Sequence, residues 1–492
     1  MTERLLDEWL DEYVNKLIAN ENSVIEKERR NLVGKRYFYE LLSPINKYLK
    51  RNKDASIKEL RDEAFDRLEM EKALKDLVDK YKLSSGVSAV IGIPSYEEVL
   101  AYGSKKEVRL SDGEIINSTS PLIGNEIYDI ASITKLFTSL SIYLLLEQKK
   151  IYLHDDITYY LPGFKDLRGV TINDLLKFNV PLKTNSRVDS AGSSDDALKV
   201  LKTIHIKDAS PYENPYTDMG AMVLKYLIEK VSGESYYEFL ERNILSKLKM
   251  TNTYVNVPKD KLYDTVSTNL NYKVINGTLY RDSLVEDGVT FDPKARAMQQ
   301  GNSSNLSGHA GLFVSNLDMG KLAKAIINNG IISRKTYYKM IETETGKYYL
   351  EGGKLKFTRY FGSLIYTKTP DSRINEVNHA LSGISFSSPG FTGVKLTVDP
   401  LNEIYVFLGA NKTHNRITAV SKEDGTLISN NGIYSYFNDQ GKEVIDSRLY
   451  AQKRDDICFD KLVALALSYK YIEDLGKKLS HEDVKTKSKR KL

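Results

Sequence analysis

At 492 residues, 41% of them hydrophobic and 28% charged, the chain is long enough for two or three units of ~150 residues and too apolar to be a disordered polymer. Its lone cysteine, Cys458, excludes an intrachain disulfide, and its start, Met1-Thr2-Glu3-Arg4, lacks the cationic and then apolar pattern of a signal peptide, which predicts a cytoplasmic protein. The net charge of +5 is contained in residues 476–492, where six Lys and one Arg face Glu482 and Asp483; the remainder is balanced and carries no groove-reading motif, so no nucleic-acid partner is expected.

Residues 1–82 read as helical. Leu5, Leu6, Trp9, Leu10, Val14, Leu17 and Ile18 recur at three- and four-residue spacing and make one apolar face, suited to packing within the chain or to self-association. Ser43-Pro44 interrupts the pattern, and Asn52-Lys53-Asp54 marks a connection before a second helix over about 57–82. Residues 1–56 are therefore expected as an N-terminal helical extension, 57–475 as one main domain and 476–492 as a basic, flexible tail.

A β-rich run at 87–93 with a return at 98–102 predicts a hairpin. Asp129-Ile130-Ala131 then leads into a long apolar helix over 132–148. Its apolar core, 136–146, is too short to span a bilayer, and Thr138, Ser139 and Ser141 interrupt it. A mostly helical middle follows, with helices at 172–177, 221–231, 236–245 and 317–328, the last capped by Ser315 or Asn316. Strand character returns at 360–366, 394–398 and 404–408. The polar segment 417–446, with Asn430-Asn431-Gly432 and Asp439-Gln440-Gly441, reads as a surface hairpin, and a one-sided apolar helix spans 456–471. Strands at both ends with helices between them predict an α+β fold, its antiparallel sheet assembled from both halves of the chain.

The chemistry starts at Ser132-Ile133-Thr134-Lys135. Residues three apart on a helix share one side, so the Lys135 amine can approach the Ser132 hydroxyl, which needs a base to become a nucleophile. The first turn of a helix favours developing negative charge, and burial would lower the lysine pKa toward neutrality. The same spacing recurs at Ser246…Lys249 and Ser488…Lys491, at a polar helix end and in the basic tail. Only Ser132 joins a strand-like entry to a long apolar helix.

The segment Tyr128-Asp129-Ile130-Ala131-Ser132-Ile133-Thr134-Lys135-Leu136 closely resembles the nucleophile motif of the serine β-lactamase and DD-peptidase (penicillin-binding protein) superfamily, the class C β-lactamase-like and esterase branch being nearest. Further blocks resemble that family in its order: 151–161 with Pro162, 170–176, 231–236 and Gly308-His309-Ala310-Gly311-Leu312-Phe313. The resemblance covers about 62–410 and the final helix. It implies a β-lactamase/transpeptidase-like fold and an acyl-enzyme on Ser132. The family's tyrosine, two residues before Asn or Asp, matches Tyr216-Thr217-Asp218; Tyr212-Glu213-Asn214 fits the bare spacing but lacks the following Gly and helix. Either Lys135 or Tyr216 then serves as the base.

The third family element, Lys-Thr-Gly or His-x-Gly on an edge strand, aligns with Ser388-Pro389-Gly390, followed by Phe391. The resemblance implies an oxyanion hole from the N–H groups of Ser132 and Phe391. Ser388, which stands where the family has a cation or imidazole, weakens recognition of a substrate carboxylate. His309 is flagged as lining the pocket or making a structural hydrogen bond. No metal-ligand spacing and no cofactor motif occurs. The expected activity is cleavage of a small ester, amide or peptide, with DD-carboxypeptidase or penicillin-binding activity, or a catalytically reduced scaffold or sensor, as the alternatives.

Overall fold

The computed structural model describes residue 48 and residues 55–108, 120–208, 215–345, 348–351, 354–357, 360–368, 376–378, 380–429 and 432–489, with backbone only for 348–357 and 475–489. Nearly all of the expected N-terminal extension, and Tyr212-Glu213-Asn214, lie outside these residues.

A six-stranded antiparallel sheet runs in the order Tyr366–Thr367, Phe386–Pro389, Lys395–Asp399, Ile404–Ala410, Gly86–Ile93 and Tyr96–Gly103. Both halves of the chain meet at its centre, where Ala89 pairs with Leu408 and Val90 with Phe407. All eight residues of Gly86–Ile93 are buried. The cause is cover on both faces, which removes the usual alternation of apolar and polar residues. Val90, Phe407, Leu396 and Val398 face the core that contains Leu136, Phe137 and Leu140. Val87, Ala89, Ile91, Val406 and Leu408 face the other way, onto Leu462, Leu465, Ala466 and Tyr469 of the last helix and Leu60, Ala64 and Leu74 of the first described helices.

The central helix, Thr134–Glu147, is buried on all sides through Leu145, because it packs against the helices Met219–Ser232 and Arg334–Ile341 and shares one core with the main sheet. A short sheet joins Ile127–Asp129 to Phe313–Ser315 and Thr253–Tyr254 and delivers the chain to that helix. Among the described residues no helix is long and apolar enough to cross a membrane.

Four expectations are corrected. The polar segment 417–446 does hold a hairpin, Ser435–Phe437 with Glu443–Asp446, but it is not a separate surface excursion: Arg416–Ser421 runs parallel to Asn271–Ile275 and to Glu443–Asp446 in a second, five-stranded sheet, over a core of Tyr272, Val274, Ile417, Val420 and Val444. The middle of the chain is correspondingly less helical than expected. Asn271–Ile275 and Thr278–Ser283 form a hairpin whose loop residues, Asn276 (φ +49°) and Gly277 (φ +82°), take the left-handed conformation that an Asn-Gly turn favours. Residues 360–366 are not a strand. Gly362 N–H bonds to Ile365 O and Leu364 takes φ +60°, so the chain turns sharply and only Tyr366–Thr367 joins the sheet. The C-terminal helix begins earlier and ends later than expected: Tyr450–Arg454 passes through a π-turn into Asp460–Lys489, so the backbone of the basic segment continues the helix.

Candidate active site

Ser132 sits in a tight 3-10 turn, Ala131–Ile133, that precedes the central helix. Ala131 before it is held at φ +45°, an unfavourable conformation for a residue with a Cβ. The Asp129 carboxylate accepts the Ala131 N–H at 2.9 Å through Oδ1, and the Phe291 N–H at 2.7 Å and the Thr290 hydroxyl at 3.0 Å through Oδ2. Burial nevertheless raises its carboxyl to about 6, against the lowering by these hydrogen bonds.

Lys135, one helical turn after Ser132, has its ammonium among Ser132 Oγ at 2.9 Å, His309 O at 3.2 Å and Asp218 Oδ1 at 2.8 Å. Burial works to lower the ammonium pKa, but the Asp218 carboxylate and Tyr216 together outweigh it, so Lys135 titrates above the usual lysine range. The expectation of a lysine lowered toward neutrality is therefore corrected. The missing term was an opposite charge at contact distance.

Asp218 occupies the N-cap position of Met219–Ser232 but does not cap it, and Thr217 Oγ1 accepts the Met219 N–H instead. The freed carboxylate binds Lys135 through one oxygen and Lys294 Nζ, at 2.8 Å, through the other. These cations hold Asp218 well below the usual carboxylate range although burial opposes them. Tyr216 hydrogen-bonds Lys135 and lies with its ring 5.1 Å from Phe178, 5.9 Å from Phe361 and 6.0 Å from Tyr366. That aromatic setting, which the turn at 361–366 completes, distinguishes it from a solvated tyrosine.

The His309 ring is buried, with Nε2 3.0 Å from Asp292 Oδ1 and Nδ1 3.1 Å from Ser307 Oγ, while its carbonyl receives Lys135. Its ring thus makes the hydrogen bonds that a structural role requires, beside Asp218 and Lys135. Asp292 is lowered to about 2, burial being outweighed by His309. Asp218, Asp292 and His309 bring ligand-type atoms within 4.8 Å of one another, but both oxygens of Asp218 already hold ammonium groups.

The segment after Phe386–Pro389 closes the other side. Gly390 has the Ile130 carbonyl oxygen 2.6 Å from where a Cβ would sit, so any side chain would push the strand off the Ser132 turn. Thr392 Oγ1 donates to Asp129 O at 2.7 Å and locks the two segments together. Among the described residues the Phe391 N–H has no backbone partner, and its half-exposed ring stacks on Phe291 at 5.8 Å. Ser388 is buried at 3% exposure. The Lys412 ammonium lies 4.2 Å from the Phe391 ring centre, and burial lowers it to about 8, with Arg454 adding to the effect.

Sequence reasoning missed Asp292, Lys294, the hydrogen bonds of Asp129 and Lys412. Asp292-Pro293 is a readable helix start, since Asp292 accepts the Ala295 N–H and Pro occupies the first turn. Nothing local to Lys294 points to Asp218. A cavity of about 480 Å³, lined by Lys183, Asn185, Arg187, Met219 and Lys294 among others, adjoins this charge cluster.

A family model described as beta-lactamase matches residues 93–424. A protein of Escherichia coli K12 with the provisional name D-alanyl-D-alanine carboxypeptidase is 26% identical over 321 residues, covering 60% of this chain and 71% of its own length. Among solved structures, EstCE1, described as a hydrolase with promiscuous acyltransferase activity, superposes with a TM-score of 0.54 at 16% identity, over 79% of this chain and 97% of its own. The octameric penicillin-binding protein homologue from Pyrococcus abyssi gives a TM-score of 0.51 at 20% identity, over 70% of this chain and 73% of its own. At these identities the structural likenesses speak for the fold alone.

Proposed function

Because the chain belongs to the beta-lactamase family, whose fold is that of serine hydrolases, we propose that it cleaves an ester or amide through an acyl-enzyme on Ser132. The observation that carries this reading is the contact of 2.9 Å between the buried Lys135 Nζ and the half-buried Ser132 Oγ, with Asp218 and Tyr216 around the same ammonium. In the reaction Ser132 Oγ attacks the carbonyl carbon and gives up its proton to the Lys135–Tyr216 pair beside it. Lys135 is the poorer base, because Asp218 favours its protonated form. The N–H groups of Ser132 and Phe391 receive the oxyanion. The leaving group departs with the proton from that pair, and water releases the acyl group by the reverse sequence. The recess beside Lys294 suits a small polar substrate.

A fluorophosphonate probe tests this. The native chain is expected to gain a single adduct on Ser132, and equal labelling of Ser132→Ala defeats the reading. A second reading, release of D-alanine from a peptide, draws on the name of the Escherichia coli relative. The buried Ser388, without a cation at that position, favours neutral esters or amides over a terminal carboxylate. Faster turnover of a D-alanyl-D-alanine peptide than of p-nitrophenyl esters would reverse that order. A scaffold or sensor without turnover predicts neither activity.

A further inference from the structure

The geometry points to Asp129 as the positioning residue for acylation, holding the turn that aims Ser132 Oγ. This rests on the reading of Ser132 as nucleophile and adds a residue that acts through the backbone. Three donors converge on the Asp129 carboxylate: the Ala131 N–H at 2.9 Å, the Phe291 N–H at 2.7 Å and the Thr290 hydroxyl at 3.0 Å. The first fixes Ala131 at φ +45°, a conformation that is unfavourable for a residue with a Cβ and persists only where surrounding bonds impose it. A change in Ala131 would rotate the peptide that carries the Ser132 N–H, and with it both the hydroxyl and one candidate oxyanion donor. The second bond fastens the same carboxylate to Phe291, on whose ring Phe391 stacks. The Asp129 backbone carbonyl accepts the Thr392 hydroxyl at 2.7 Å. One residue thus ties both walls of the candidate oxyanion hole together.

Protonation removes this function for a geometric reason. A carboxylate offers acceptors to all three donors, whereas a carboxylic acid places a hydrogen on one of the two oxygens that receive them, so that one of the three bonds weakens or, at Thr290, reverses. Burial, which raises Asp129 to about 6, brings that change into an accessible range. The charged groups facing it are Asp292, the N-cap of the helix Pro293–Gln299, which raises it further, and Arg296 in the last turn of that helix; the turn at 390–393 presents the Thr392 hydroxyl, to the backbone of Asp129.

The test is the rate of fluorophosphonate labelling of Ser132 between pH 5 and 8. In the native chain the rate is expected to fall below about pH 6, where Asp129 takes up its proton. Asp129→Asn replaces one acceptor by a donor facing an N–H. It is expected to label at least tenfold more slowly at pH 7.5, with the acid limb gone. An Asp129→Asn variant that labels at the native rate, or that keeps the native acid limb, overturns the assignment. If Asp129→Asn does not fold, Thr290→Val decides. Loss of the hydroxyl that lowers the Asp129 pKa must move the acid limb to higher pH, and an unmoved limb overturns the assignment. Labelling of Ser132→Ala at the native rate would defeat the nucleophile reading itself, a result distinct from either of these.

Discussion

At the scale of single residues, the charge state of Lys135 is the most consequential feature. Asp218 lies between two ammonium groups, each 2.8 Å from one of its oxygens. Asp218→Asn would leave two buried or half-buried cations facing an amide, and breaking a buried pair in this way costs about 3–5 kcal/mol. The pH range of that loss follows from the signs. Asp218 is lowered in the fold, so its contribution is complete above the unfolded carboxylate pKa, ~3.9, and is lost as pH falls below it. Lys135 is raised, so its contribution is complete below the unfolded lysine pKa, ~10.4, and is lost only as pH rises past it. Urea unfolding of the native chain and Asp218→Asn should therefore give the same stability difference at pH 6 and pH 9. The Ser132–Lys135 spacing was legible from sequence because three residues on a helix are a local relation. The sign of the lysine shift was not, since its source lies 83 positions further along the chain, at Asp218.

At the scale of elements, the second sheet shows what periodicity leaves undecided. The segment 417–446 is polar enough to read as solvent-exposed, and its pairing with Asn271–Ile275 is parallel and distant in sequence, with no connecting turn to betray it. The Asn276-Gly277 turn is a local hairpin signal, but helical segments surround it on both sides. His414 fastens this sheet to the segment before residue 108: its Nε2 accepts the N–H groups of Glu107 at 2.9 Å and Val108 at 3.3 Å, while Nδ1 faces Asn269. An imidazolium has no lone pair for those two donors. Burial accordingly lowers His414 from 6.5 to about 4, and the neighbouring Arg416 adds to this. Because the folded value is the lower one, its contribution to stability is complete above pH 6.5 and is lost as pH falls from 6.5 toward 4. The slope is about 1.4 kcal/mol per pH unit inside that window. Denaturant midpoints of the native chain should drop between pH 7 and 4.5, and His414→Gln should abolish that part of the drop.

At the scale of the whole molecule, the main sheet has two covered faces, and the last helix supplies much of one cover. Leu465 is fully buried among Val87, Ile91, Val406 and Leu408. Leu465→Ala should cost about 2–5 kcal/mol, read as a lower denaturant midpoint with an unchanged slope. Truncation after residue 459 exposes the whole apolar face and should leave the chain unable to fold, to be checked by thermal unfolding of purified material. The central strands and the central helix were recognisable because burial on both faces selects continuous apolar runs, which a sequence displays directly.

The sequence by itself therefore determined the α+β class, the meeting of both chain halves in one sheet, the placing of Ser132 beside Lys135 and the family resemblance, all of which depend on local spacing or on ordered motifs. Tertiary structure alone decided that Lys135 is held as an ammonium, that Asp129 pins the Ser132 turn, that Ser388 is buried and that 416–421 completes a second sheet. The potential at a buried charge and the burial of a polar strand are sums over neighbours, and the neighbours here are far apart in the chain.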